Sequence, residues 1–223
     1  MSKVGILVFL CLVSQTFAQS TIKNTDSPEQ FLPAGYVITE TIRGDLNRDG
    51  LEDYVFIIKA TLSSRFVKDE VRGVLDRNRR GILIVFNQKN KFKLAYEGRD
   101  CFSSENEDGG VYFPPDLNIY IEKGNLLIHY AHGRYGYWRY NFRHENKGFV
   151  LIGYDREESY GPVLLRSISI NLLTKKILIK ENTNPNYRPA KSLIKQRNLN
   201  LKNSIQLKNF YDFDLCKPFL LEC

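Results

Sequence analysis

The stretch LNIYIEKGNLLIHYA, Leu117 to Ala131, decides the fold. Its two halves, Leu117 to Glu122 and Leu126 to Ala131, are strand-length runs rich in β-branched and aromatic residues. Lys123-Gly124-Asn125 between them reads as a hairpin turn, because a two-strand reversal this tight needs residues that tolerate left-handed backbone. The same unit recurs downstream. Tyr137 to Arg143 and Phe149 to Asp155 flank Glu145-Asn146-Lys147-Gly148, and Ile168 to Leu172 and Lys176 to Lys180 flank Thr174-Lys175. Upstream, Tyr54 to Lys59 (YVFIIK), Gly81 to Phe86 (GILIVF) and Phe92 to Glu97 have strand composition, the last two separated by Asn87-Gln88-Lys89-Asn90. Helical spacing is scarce. The pattern predicts a mainly β protein, an antiparallel meander forming a sandwich or a barrel-like sheet.

Two segments break the rhythm. Ser63 to Arg80 carries six basic residues and few apolar ones, and is expected as a solvated, mobile loop. Asn182 to Pro189 (NTNPNYRP) reads as a linker, and Ala190 to Asn209 is polar and weakly patterned, expected as a short helix or irregular coil. Self-similarity at a period of 20 to 50 residues is absent, which argues against solenoids and complete propellers.

Composition is that of a folded chain: 43% hydrophobic and 26% charged over 223 residues, enough for one domain with its own core. The start of the chain has the three parts of a secretory signal: Lys3, the apolar run Val4 to Val13, and Thr16-Phe17-Ala18 with small residues at the cleavage positions. The run is about half of what a membrane-spanning helix needs. Leu10 before Cys11 does not suit a lipidation site. Cleavage is expected after Ala18, giving a periplasmic or secreted protein with no membrane span. Removing 18 of the 223 residues leaves 205, with the net charge falling from +7 to +6. The expected layout is a signal peptide at 1–18, an extension at 19–34, a β domain at 35–182, and a linker with C-terminal segment at 183–223. The positive residues are spread along the chain, which makes a nucleic-acid partner unlikely on charge alone. Cys101, Cys216 and Cys223 remain after processing, and an oxidising compartment favours one of three single disulfides among them.

Gly44 to Asp53 reads GDLNRDGLED. Asp45, Asn47 and Asp49 stand at loop positions one, three and five, Gly50 permits a backbone reversal, Leu51 offers a carbonyl, and Asp53 closes the set at position nine. Three carboxylates, an amide and a carbonyl suit calcium better than magnesium, which keeps its waters. Position twelve is Phe56, so the loop is no EF-hand. It resembles the calcium loop of FG-GAP/VCBS repeats, in which D-x-[DN]-x-D-G-x-x-D leads into a hydrophobic strand. The likeness covers about one-twentieth of the chain. It implies a structural calcium held by Asp45, Asn47, Asp49, Leu51 and Asp53. Gly44 to Lys180 as a whole, with GDLNRDG, ENEDGG, HGRYGYW and INLLTKK, resembles small exported proteins of Gram-negative bacteria. That likeness implies export and fold and carries no mechanism.

His129 to Arg143, HYAHGRYGYWRYNFR, holds the single Trp and two of the three His. On a period of two, Tyr137, Arg139, Asn141 and Arg143 share one face, and Trp138, Tyr140, Phe142 and His144 the other. The second set reads as core. The first, with Arg134 and Tyr135, reads as a surface for sugar rings or acidic groups. His129 and His132 lack a clearly placed third ligand for zinc. The expectation is a calcium-stabilised binding module for a glycan or an envelope protein. The alternatives are a hydrolase using Glu105, Glu107, Asp108 and His132, or a structural, inhibitor-like envelope protein.

Overall fold

The computed structural model describes residues 24–107, 116–146, 148–184, 186, 191–200 and 203–213. Among the described residues fourteen strands follow in chain order: β1 Asn24–Thr25, β2 Tyr36–Gly44, β3 Asp53–Ala60, β4 Phe66–Asp69, β5 Gly73–Asp76, β6 Arg80–Asn87 and β7 Phe92–Phe102 in the first half. The second half adds β8 Asp116–Glu122, β9 Asn125–Ala131, β10 Gly136–Glu145, β11 Gly148–Tyr160, β12 Val163–Asn171, β13 Lys176–Asn182 and β14 Ser192–Asn198. They form a five-stranded sheet in the order β1-β7-β6-β3-β2, a seven-stranded sheet in the order β14-β13-β12-β11-β10-β9-β8, and a separate β4–β5 pair. All pairings are antiparallel, the seven-stranded sheet is an uninterrupted meander, and one of the sheets curls into a half-barrel.

Sequence explains each sheet differently. In the hairpin that opens the second half, β8 ends at Glu122 and β9 begins at Asn125, with Lys123 (φ 53°) and Gly124 (φ 71°) both left-handed between them. That is the two-residue turn whose twist matches its strands. β3 and β6 instead read as continuous apolar runs because both of their faces are covered. Val55, Ile57, Ile82 and Ile84 join the main core, while Phe56, Ile58, Leu83 and Val85 form a second layer under Leu32, Tyr36, Ile38 and Phe92.

The main core lies between the two sheets. Ile128, Tyr130, Tyr140, Phe142, Tyr154 and Ile170 project from the seven-stranded sheet and are nearly inaccessible to solvent. The C-terminal segment closes this core: Ile205, Leu207, Phe210 and Phe213 are buried, and the Phe210 and Phe213 rings stack 4.9 Å apart against Tyr140 and Phe142. Backbone bonds hold it, with the Leu151 amide donating to the Ile205 carbonyl at 2.8 Å and the Phe213 amide to the Cys101 carbonyl at 2.9 Å.

Two local expectations give way. Ser63 to Arg80, read as a mobile loop, contains the β4–β5 hairpin, clamped at its base where the Asn78 side chain both accepts from the Leu62 amide and donates to its carbonyl. Of its few apolar residues only Leu75 is buried, Val71 and Val74 being 93% and 71% exposed, so it lacks the alternation that marks a half-buried strand. Ser192 to Asn198, read as helix or coil, is strand β14 on the sheet edge. Beyond it, residues 203–213 are irregular, with a 3-10 turn at Leu207–Asn209. The extension before residue 35 also joins the sheet through β1. Among the described residues no helix is long and apolar enough to cross a membrane. The signal segment, Asp108, Cys216, Cys223 and half of the NTNPNYRP linker lie outside the described residues.

Candidate functional site

The aspartate loop joins β2 to β3 at the junction of the two sheets. Leu46 in its middle is 1% exposed and belongs to the main core, and the loop rests on the β8–β9 turn. There a Cβ on Gly124 would stand 3.2 Å from both the Asp45 carbonyl and Arg48 Nε. Gly50 takes φ 82°, the reversal expected of it. The side-chain oxygens turn inward onto the loop's own amides. Asp45 Oδ1 accepts from Arg48 and Asp49 at 2.6 and 3.2 Å, and its Oδ2 accepts from Gly50 at 2.9 Å. Asn47 Oδ1 accepts from the Asp49 amide at 3.0 Å, and Asp49 Oδ1 from the Leu51 amide at 2.8 Å.

Asp53 is fully buried and ties three segments together. Its Oδ2 accepts from the Leu46 and Asn47 amides at 2.9 and 3.4 Å, and its Oδ1 from the Asn87 amide at 3.0 Å at the end of β6. Burial raises its pKa, and the three amides partly offset that. The donor set is therefore all hard oxygen, which fits a calcium-type cation, while the loop is also closed by its own hydrogen bonds. Among the described residues no three His, Cys, Asp or Glu side chains gather as a metal cluster.

The second feature lies on the outer face of the seven-stranded sheet. The alternation expected for β10 holds: Tyr140 and Phe142 point into the core, and Tyr137, Arg139 and Arg143 point out. At the sheet's end a 3-10 turn, Gly133–Tyr135, faces the β11–β12 turn at Gly161. Gly136 makes this approach possible, since a Cβ there would lie 1.9 Å from the Glu157 carbonyl oxygen. Two adjoining depressions result, sharing Arg134 and Gly161. One, of about 320 Å³, is lined by Tyr135, Tyr160 and Val163; the other, of about 210 Å³, by His129, Tyr137, Glu157 and Ser159.

Electrostatics in the cleft are mixed. The Arg134 guanidinium lies 5.3 Å from the Tyr135 ring centre, and its Nε donates to the Tyr135 hydroxyl at 3.2 Å. Ser159 Oγ donates to Glu157 at 3.3 Å. The His129 ring meets Tyr137 edge-on at 5.1 Å, and burial together with the Arg139 charge lowers its pKa, favouring neutral imidazole. Burial and the neighbouring Glu157 and Asp155 push the Tyr137 hydroxyl up, so it stays protonated.

The structure thus brings together Arg134, Tyr135 and Tyr137 of the expected binding set and separates the other two. Arg139 donates to Asp155 at 2.8 Å, an acceptor it shares with Ser169 Oγ at 2.7 Å, and this partner raises the guanidinium's pKa further. Arg143 is held by Glu145. The residues that reasoning from sequence left out are Glu157, Ser159 and Tyr160. β11 runs to Tyr160, past the expected end at Asp155, and the signal was that no Gly or Pro stands between Gly153 and Gly161-Pro162. Tyr135, Tyr137 and Trp138 are all partly exposed.

The hydrolase residues lie on different elements. Glu105 follows β7 and pairs with Lys59 at 2.5 Å and with Arg80 at 3.9 Å, while His132 packs 4.4 Å from Trp138. Burial lowers the His132 pKa, with Arg156 adding to the effect, and the two groups share none of these partners. Glu107 accepts from the Ser104 amide at 3.4 Å. No family model, curated protein or solved structure matches the chain.

Proposed function

We propose that this protein is an exported binding module for a glycan, braced by calcium in the Asp45–Asp53 loop and recognising its ligand in the cleft between Gly133–Tyr135 and the β11–β12 turn. The observation that carries this reading is the cleft's lining. Tyr135, Tyr137 and Tyr160 offer faces and edges on which sugar rings stack, while Arg134, Glu157 and Ser159 offer a donor, an acceptor and a hydroxyl at the rim. A shallow, half-polar depression on a sheet face suits recognition better than chemistry, which needs an acid or base aimed at a reacting atom. The loop resembles that of FG-GAP/VCBS repeats, and its residues would hold calcium as Asp45, Asn47, Asp49, Asp53 and the Leu51 carbonyl. Calcium would supply rigidity where β2, β3 and the β8–β9 turn meet.

Isothermal titration against a panel of neutral and acidic oligosaccharides, with calcium present, tests the reading. Tyr137→Ala and Arg134→Ala are expected to weaken the best ligand about tenfold each, the loss of ~1.4 kcal/mol that one stacking or charged contact supplies. Their melting temperatures should stay near that of the parent, because Arg134 is exposed and Tyr137, half-buried, points out of the sheet away from the core. Unchanged affinity in both variants would remove the cleft from consideration.

A further inference from the structure

We propose that β14 is a docking strand, taking up an acidic, extended segment of a partner protein by strand addition. The seven-stranded sheet has two edges. The β8 edge is covered by β2, where Gly44 lies so close under Ile121 that a Cβ would come within 3.0 Å of it. The β14 edge carries no further strand among the described residues.

All seven β14 residues are exposed, so no core burial orders this strand. It is held by its register with β13, continuous from Lys176–Asn198 to Asn182–Ser192, by the Lys195–Glu181 ion pair at 2.8 Å, and by Leu199, buried just beyond its end. In an antiparallel ladder alternate residues turn their N–H and C=O away from the neighbour. β14 therefore presents an outward row of donors and acceptors, a ready template for another strand. Leu193 and Ile194, 47% and 61% exposed, add one apolar side chain to each face.

Charge selects the occupant. Among the described residues from 175 to 198, Lys175, Lys176, Lys180, Lys191, Lys195 and Arg197 stand against Glu181 alone. Two copies of β14 side by side would set these cations against one another, which disfavours self-pairing. A strand alternating acidic and apolar residues would satisfy the backbone, the charge and the two apolar contacts together. This inference is independent of the glycan cleft, which lies on the outer face toward the other side of the sheet.

The test uses the full chain, isotope-labelled for NMR, with a blocked (Glu-Val)₄ peptide as probe. Strand addition predicts that the outward β14 amides exchange about tenfold more slowly with peptide bound, as newly paired amides do. A Lys191→Glu, Arg197→Glu double variant should lose about tenfold in affinity and gain binding to (Lys-Val)₄, since charge complementarity decides partner choice. Failure to bind the probe overturns the proposal. So does binding that leaves the β14 amides unprotected and is matched by polyglutamate, which would make the edge an unspecific polyanion patch.

Discussion

Asp53 and Asp49 look equivalent in the sequence, yet they do different work in the fold. Asp53 is sealed in, and its carboxylate satisfies three amides from the loop and from β6, so its removal would strand buried donors whether or not an ion is present. Asp49 is exposed and bonds only within its own loop. It is therefore the residue that separates an ion site from a turn. Melting the protein in EDTA and then in ~5 mM calcium should raise stability by about 2.3 kcal/mol if binding is near ~100 µM. That corresponds to a shift of roughly 5 to 9 °C for a chain of this size. Asp49→Ala should abolish the shift while melting close to the parent in EDTA. A shift that persists in Asp49→Ala, or none in the parent, would reduce the loop to a turn. The ligand types and spacing were legible in the chain; that Asp53 faces inward was not, because its amide partners Leu46 and Asn87 are brought together only by the meeting of two strands.

At the scale of elements, the C-terminal segment governs the core more than its polar composition suggests. Phe213 is fully buried among Phe102, Tyr140, Phe142 and Phe210, filling a space that neither sheet fills alone. Phe213→Ala should cost about 3 to 5 kcal/mol in urea unfolding, the usual toll of a large buried ring replaced by a cavity. A loss below ~1 kcal/mol, the size of a surface change, would mean that the segment is not docked in solution. β14 and the β4–β5 hairpin illustrate the opposite case. Of all their residues only Leu75 is buried, so neither carries the period-two pattern through which strands are recognised. Backbone pairing is what made them, and pairing depends on the neighbour.

For the whole molecule, the three histidines make stability depend on pH in one direction. His129, His132 and His144 all have lowered pKa values, burial being the first cause in each, and His144 sits between Phe86 of one sheet and Phe149 of the other. A lowered folded-state pKa means that the unfolded chain takes up protons first as the medium acidifies. Stability is therefore complete above about 6.5, the unfolded value, and is lost as pH falls through it toward the folded values. The carboxylates held low, Asp69, Asp76 and Glu181, titrate below this range. Urea midpoints should fall between pH 7.5 and 5.5, and His144→Phe should flatten the profile in part. A midpoint constant across that range would show that the imidazoles are not desolvated in solution.

By itself the sequence determined what local chemistry can dictate. Turn residues at 123–124, the alternation of β10, the unbroken runs of β3 and β6 and the oxygen-rich loop at 45–53 each follow from backbone sterics or side-chain period over a few residues. Only the tertiary structure decided which strands neighbour one another. That choice placed Glu157 beside Tyr137, took Arg139 and Arg143 out of the binding set by pairing them with carboxylates, and left β14 at the sheet edge, with no further strand beside it among the described residues. The reason is that register and edge position are settled by the sum of many long-range contacts, and no short window of residues contains that sum.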